Sequence, residues 1–242
     1  MLHEWPRRVA AIGQFSVEDP RHPVLGDDDD HHLRVVLRAR SGEEIVVTNG
    51  RGSWSLCEVG ELAIHRVSDV HLDPETPTTS LYLAPLKGDR SEWAVAKAVE
   101  LGVHRIIPLV SRRLVVKFKG ETADKIVSRW RRIATEASGQ CRRTYDVVVG
   151  QPVRVSDVAV DVAVADFDGG ADWTGVRGVA IGPEGGWDPD EWSHDRVRLS
   201  LGPTVLRAET AGVVAAGLVA FAAGGWGFTL RGRAIGNDES NV

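Results

Sequence analysis

The feature that most constrains this chain is a change of pattern at Asp73-Pro74-Glu75-Thr76-Pro77-Thr78-Thr79. Proline removes a backbone donor and fixes φ, so this stretch reads as a linker. Before it the pattern is of short strands. Glu44–Thr48 is β-branched and runs into Asn49-Gly50, a pair that tolerates the positive φ of a tight hairpin. Residues 53–58 and 62–67 read as further strands, and 32–38 as a helical turn. After the linker, strands alternate with helices. Residues 80–84, Arg105–Val110, 162–165, 179–181 and 197–201 read as strands. Residues 91–101, capped by Ser91 and ended by Gly102, then 121–138 and 210–223 read as helices. In the second of these, Ile126, Trp130, Ile133, Ala134 and Ala137 share a face. Pro108 inside a strand argues for an edge or an irregularity. Asp188-Pro189-Asp190-Glu191 has the N-cap, first-turn proline and N3 glutamate of a helix start. The order predicts two modules: residues 1–72, a small β-barrel-like unit, and residues 73–242, an α/β domain with a mainly parallel sheet and a frayed tail at 236–242.

Charge is unevenly distributed. The net charge is −5, yet residues 85–145 hold 14 of the 29 basic and only 6 of the 34 acidic residues. Such a block is either a solvated helix pair or a polyanion-binding face. Asp27 to Asp30 read as a solvated loop. The adjacent His31 and His32 point in different directions on any regular element, so no metal is expected there. Two cysteines, Cys57 and Cys141, exclude a disulfide framework and a thiolate zinc site, and fit a reducing compartment. The start has no apolar h-region, and glycines interrupt the apolar stretch at 211–227. A cytoplasmic protein without a membrane span is expected.

Three segments after the linker carry the chemistry. Ile181-Gly182-Pro183-Glu184-Gly185-Gly186 follows a strand; its glycines serve either a sharp turn or close approach of backbone to a ligand. Leu201-Gly202-Pro203-Thr204-Val205-Leu206-Arg207-Ala208-Glu209 again joins a strand end to a helix. Ligands of open α/β sheets bind at the carboxyl ends of strands, so the two loops are expected to face each other across one pocket. Glu209 either caps its helix or acts on a ligand, with Arg207 as a structural partner of Glu209 or Glu184. Lys87-Gly88-Asp89-Arg90, with Gln140, Arg142 and Arg143, suits phosphate and base contacts. No Gly-Lys-Ser/Thr, G-x-S-x-G or H-E-x-x-H is present, so P-loop, serine-hydrolase and zincin chemistry lose support. Group transfer by positioning remains.

Taken in order, these segments resemble the RsmE family of 16S ribosomal RNA (uracil-N3)-methyltransferases in the SPOUT superfamily. The residues that carry the likeness are His31-His32-Leu33 with Val36-Leu37-Arg38; Lys87-Gly88-Asp89 with Glu92-Trp93, Lys97-Ala98 and Glu100-Leu101-Gly102; Ile107-Pro108-Leu109; Arg129-Trp130 with Ile133-Ala134 and Glu136-Ala137; and the two glycine loops. The resemblance implies an N-terminal PUA-like β-barrel, a SPOUT domain with a deep trefoil knot, a homodimer, S-adenosylmethionine (SAM) as methyl donor and no metal. The implied reaction is methylation of N3 of a decoding-region uracil in 16S rRNA, within the small ribosomal subunit. The implied donor contacts are Ala165, Asp166, Ile181, Gly182, Pro183, Glu184, Gly185, Gly186, Leu201, Gly202 and Leu206. Arg207 and Glu209 are the catalytic candidates, and Arg8, Arg38, Lys87, Arg113, Gln140, Arg142 and Arg143 the RNA contacts. The chain departs from the family pattern at Arg207-Ala208-Glu209-Thr210, where Arg-Thr-Glu-Thr is usual, and at Arg112-Arg113, where Glu-Arg is common. A SPOUT enzyme acting elsewhere on RNA, a nucleotide-binding metabolic enzyme and a non-catalytic RNA-binding assembly factor are the competing expectations.

Overall fold

The computed structural model describes residues 4–224. The first module runs α1 (Trp5–Ala10), β1 (Gln14–Ser16), α2 (Asp27–His31), a π-helical turn (His32–Val36), β2 (Glu44–Thr48), β3 (Ser53–Val59), β4 (Ile64–Arg66) and β5 (His71–Leu72). Its sheet has the order β1-β2-β3-β4, with β5 also on β3. Side chains alternate across a strand. Ile45, Val47, Cys57 and Val59 therefore meet Phe15 and Leu33 on one face, while Val46, Trp54 and Leu56 meet Ala11 on the other. The Asn49-Gly50 hairpin forms as expected: Asn49 Oδ1 accepts the amides of Arg51 and Ser53, and Gly50 takes φ +70°.

Two expectations fail in this module. The reading of short strands missed α1, which a proline in its first turn starts. Asp27 to Asp30 form not a loop but the first turn of α2. Carboxylates there face the positive end of the helix dipole, and Asp30 pairs with Arg34 one turn on, at 2.9 Å.

The second module runs β6 (Ser80–Leu83), α3 (Arg90–Glu100), β7 (Arg105–Val110), α4 (Glu121–Gln140), β8 (Val148–Val149), β9 (Val153–Arg154), β10 (Ala163–Gly170), β11 (Gly178–Ile181), β12 (Arg198–Leu199) and α5 (Ala208–Ala222). The expected mainly parallel sheet is present, ordered β12-β10-β11-β6-β7-β8, with β9 also on β7. Leu81, Leu83, Ile106, Val179 and Ile181 pack against Val95 and Val99 of α3, Trp130 and Ala134 of α4, and Ala216 and Val219 of α5. Leu109, Val164 and Ala180 meet Val158, Val162 and Trp192 on the other face. α3 ends as read: Gly102 takes φ +92°, and the Val103 and Gly102 amides return to the Ala98 and Val99 carbonyls.

Tertiary context overrode two local signals here and resolved a third. Ser91 lies inside α3, and its Oγ accepts the Leu86 amide at 2.7 Å instead of capping the helix. Pro108 marks the irregularity that was one of its two expected readings, not an edge. It pairs with Leu83 on one side, and on the other it falls between the β8 partners Arg105–Ile106 and the β9 partners Leu109–Val110, where no donor is needed. Residues 188–191 form a turn with no helix behind it. Glu191 does reach back to the Asp188 amide as a capping glutamate would, but it also accepts the Arg112 amide (2.6 Å) and the Ser111 hydroxyl (3.0 Å). The turn is thereby tied to the end of β7. The tail at 236–242 lies outside the described residues.

A polar joint binds the modules. Arg8, 3% exposed, donates to both Asp73 carboxylate oxygens at 3.1 and 2.9 Å and to the Arg142 carbonyl, and lies 4.5 Å from the Trp54 ring centroid. Asp73 also accepts from Trp54 Nε1 (2.9 Å) and Thr144 Oγ1 (2.7 Å). The hairpin tip closes on the same place, where Gly52 lies against the Tyr145 ring.

Candidate active site

Parallel pairing brings β10, β11 and β12 together, and residues 165–167 of β10 with the loops that leave β11 and β12 enclose a cleft of about 720 Å³. Ala165, Asp166 and Phe167 form one wall, Ile181 to Glu184 with Gly186 and Trp187 a second, and Leu201, Gly202 and Thr204 to Glu209 the third. Trp187 holds the second wall by donating its indole N–H to the Ala165 carbonyl at 2.9 Å. Its ring packs closely on Gly182, where an added Cβ would stand 3.1 to 3.3 Å from the indole and the ring would have to give by a few tenths of an ångström. Gly186 and Gly202 take φ of +69° and +127° with nothing within 4 Å of an added Cβ, so they leave the backbone open to a ligand.

Of the eleven expected donor contacts, all but Gly185 line this cleft, as do Arg207 and Glu209. Gly185 instead packs against the Arg113 backbone. Apolar surface comes from Ala165, Ile181, Leu201 and Leu206, and charge from Asp166, Glu184, Asp188, Glu209, Arg90, Arg198 and Arg207. Most of these charges are matched. Asp166 pairs with Arg198, and Asp188 with Arg112 and Arg113.

The partner of the two glutamates is Arg90, not Arg207. Arg90 Nη1 lies 3.6 Å from Glu184, and its Nε lies 4.0 Å from Glu209. Arg90 was missing from the expected contacts, although it sits in the Lys-Gly-Asp-Arg segment that sequence singles out; nothing local marks it as closer to the cleft than Lys87. The Arg207 guanidinium has no ion pair among the described residues. Glu209, in the first turn of α5 and 14% exposed, leaves Oε2 buried without a hydrogen-bond partner. A buried carboxylate oxygen left this way costs free energy unless a ligand donates to it.

The expected RNA contacts separate into two groups. Lys87, Arg38, Arg113 and Gln140 are exposed. Arg113 lies beside the cleft, 3.5 Å from the Gly185 carbonyl, and the Lys87 amide donates to Glu184 at 3.0 Å. The expectation fails for Arg8, Arg142 and Arg143, whose guanidinium groups are engaged inside the protein. Arg8 is buried in the joint. Arg142 donates to the Gly139, Arg8 and Ala11 carbonyls, and Arg143 to those of Tyr145 and Val99. Burial holds the Arg142 and Arg143 pKa values below the usual guanidinium range.

Comparison with known proteins decides what this arrangement belongs to. The model of an RNA methyltransferase domain matches residues 74–220, and that of an RNA methyltransferase PUA domain matches residues 25–64. The ribosomal RNA small subunit methyltransferase E of Mycobacterium bovis is 31% identical over 229 residues, 84% of this chain and 87% of that protein. This chain belongs to the RsmE family of RNA methyltransferases. The Aquifex aeolicus protein of the same name is 33% identical over 208 residues, 78% of this chain and 89% of that protein. A Legionella pneumophila structure described as a methyltransferase with the bound cofactor SAM is 28% identical, superimposes with a TM-score of 0.75, and covers 88% of this chain and 98% of its own. The expected class is thus correct: an RsmE-type α/β domain with a mainly parallel sheet behind a PUA domain. Among the described residues no helix is long and apolar enough to cross a membrane.

Proposed function

We propose that this RsmE-family chain transfers the methyl group of SAM to N3 of a uracil in 16S rRNA within the small ribosomal subunit. The observation that carries the reading is Glu209, which lines the cleft that the two glycine loops enclose and keeps one carboxylate oxygen, Oε2, buried without a hydrogen-bond partner. The lining suits SAM. Ala165, Ile181, Leu201 and Leu206 offer an apolar slot for adenine, the open backbone at Gly186 and Gly202 suits its polar edges, and acidic side chains suit its cationic groups. Bound SAM supplies an electrophilic methyl on a sulfonium.

The chain's own part is to orient the acceptor and take its proton. Glu209 Oε2 accepts the N3–H of the uracil imide as the N–C bond forms, and the electrons of the S–C bond return to sulfur. Arg207, free of other ion pairs among the described residues, stabilises the charge that develops on the uracil carbonyls. Arg90 holds Glu209 and the 181–186 loop together. The family resemblance also supports a deep trefoil knot through the cleft loops and a homodimer. Phe167 and Val205, 58% and 82% exposed at the cleft rim, suit contact with a second copy.

The test is transfer of label from tritiated SAM to small ribosomal subunits, with the modified nucleotide mapped. Label at N3 of one uracil is expected. Glu209→Gln should lower kcat by about 10²- to 10⁴-fold, the range of a lost general base, while the Kd for SAM stays within about two-fold. Equal loss of both would assign Glu209 a structural role instead.

A further inference from the structure

A second groove, of about 480 Å³, lies on the far side of the β6–α3 loop from the methyl-transfer cleft. Its volume is in the range of ligand sites, ~300–1,000 Å³. The loop walls the groove and is tied to the cleft by one hydrogen bond. Lys87 and Gly88 face the groove, while the Lys87 amide donates to Glu184 of the cleft and Arg90 lines the cleft itself. The floor is apolar, made by Leu86, Ile126 and the buried Trp130. At the rim, Lys125 and Arg129 of α4 stand opposite Lys87. Glu92 neutralises Arg129 at 2.6 Å. Lys87 and Lys125 are exposed and have no acidic partner among the described residues, so the groove keeps two unmatched positive charges. Gly88, at φ +67° with nothing within 4 Å of an added Cβ, leaves the lip open.

Resting on the reading of the chain as an RNA methyltransferase, we propose that this groove binds the phosphodiester backbone of the RNA strand flanking the target uracil, with phosphates at Lys87 and Lys125 and ribose over the apolar floor. The target base turned into the cleft and the strand beside it then lie on opposite sides of one loop. This gives part of the basic excess of residues 85–145 a specific use: its unmatched charges lie where a strand leaving the cleft would run. A polyanion, rather than a single anion, fits two unmatched lysines contributed by different elements to one continuous trough.

The test compares the native protein, the double variant Lys87→Gln/Lys125→Gln, and a control of equal charge change at exposed sites outside the groove, Arg154→Gln/Arg177→Gln. Binding of small-subunit ribosomal RNA is measured against salt, together with KM for that RNA and Kd for SAM. Each lost phosphate contact on a single strand lowers the slope of log K against log[salt] by about 0.7. The groove variant should lose that amount at each lysine and raise KM for RNA by roughly ten-fold, with SAM affinity and melting temperature unchanged; the control should keep the native slope. An unchanged slope in the groove variant, or an equal drop in the control, overturns the groove while leaving methyl transfer by the native protein intact. Failure of the native protein to methylate or bind any RNA overturns the functional reading, and the groove with it.

Discussion

Two adjacent glycines at the end of β10 provide a sharp test of how the cleft is held. An added Cβ at Gly169 would stand 2.5 and 2.6 Å from the backbone nitrogen and Cα of Leu199 in β12, whereas at Gly170 the nearest atom is the Arg198 carbonyl oxygen at 4.0 Å. Neither glycine has a positive φ, so the difference is one of space. Relief of the Gly169→Ala contact needs β12 to move by about 1 Å, because the neighbour is backbone and has no rotamer to change. Overpacking of this kind costs about 1–3 kcal/mol, and each kcal/mol lowers Tm by roughly 2–4 °C in a chain of this size. The same shift moves Arg198, Ser200 and Leu201 against Asp166 and Phe167, all of which line the cleft. A misplacement of ~1 Å costs up to 10²-fold in rate. Thermal unfolding, SAM titration and methyl-transfer kinetics should therefore show Gly169→Ala weakened in all three. Gly170→Ala should stay within about 0.5 kcal/mol of the native protein. If Gly169→Ala matches the native Tm and SAM affinity, the close approach of β10 to β12 does not shape the cleft.

Two further outcomes follow from buried charge and burial. Asp73→Ala leaves the Arg8 guanidinium buried without its counter-ion. The cost should fall near the low end of about 3–5 kcal/mol, since Asp73 is 25% exposed. Urea unfolding should show it, and Arg8→Met in the same chain should recover part of the loss. His104 is held neutral, its pKa lowered from the ordinary 6.5 to about 4 by burial and then by the charge of Arg143. Its neutral ring nitrogens meet Thr76, Thr79 and the Thr79 amide. The folded state binds its proton less readily than the unfolded chain, so the stabilisation is present above pH 6.5 and is lost as pH falls toward 4. Denaturant midpoints measured across that window should decline in the native protein and decline less in His104→Gln; equal slopes would remove His104 as the cause.

Much of the frame could be read locally because local physics decides it. Glu44–Thr48 and Arg105–Val110 are strands at the expected bounds, since β-branched runs closed by turn residues have few alternatives. The Schellman end at Gly102 follows from the freedom of glycine at positive φ. The two glycine loops were legible as pocket walls because parallel strands must present their carboxyl ends on one side. Arg8, Arg142 and Arg143 were misread for the opposite reason. A guanidinium looks the same in sequence whether it faces RNA or is engaged inside the protein, and for Arg8 and Arg142 partners more than 130 positions away help decide which, while Arg143 reaches Val99 44 positions back.

The amino-acid sequence by itself therefore determined the class of the protein: the linker, the strand and helix periods, the glycine loops and the ordered set of motifs all depend on residues close to one another in the chain. The tertiary structure alone decided which charges remain available. It gave Glu184 and Glu209 to Arg90, tied Arg8 to Asp73, and left Glu209 Oε2 and Arg207 in the cleft and Lys87 and Lys125 along the groove without partners. Pairing of charge depends on distances of a few ångströms between segments far apart in sequence, and only the packed fold sets those distances.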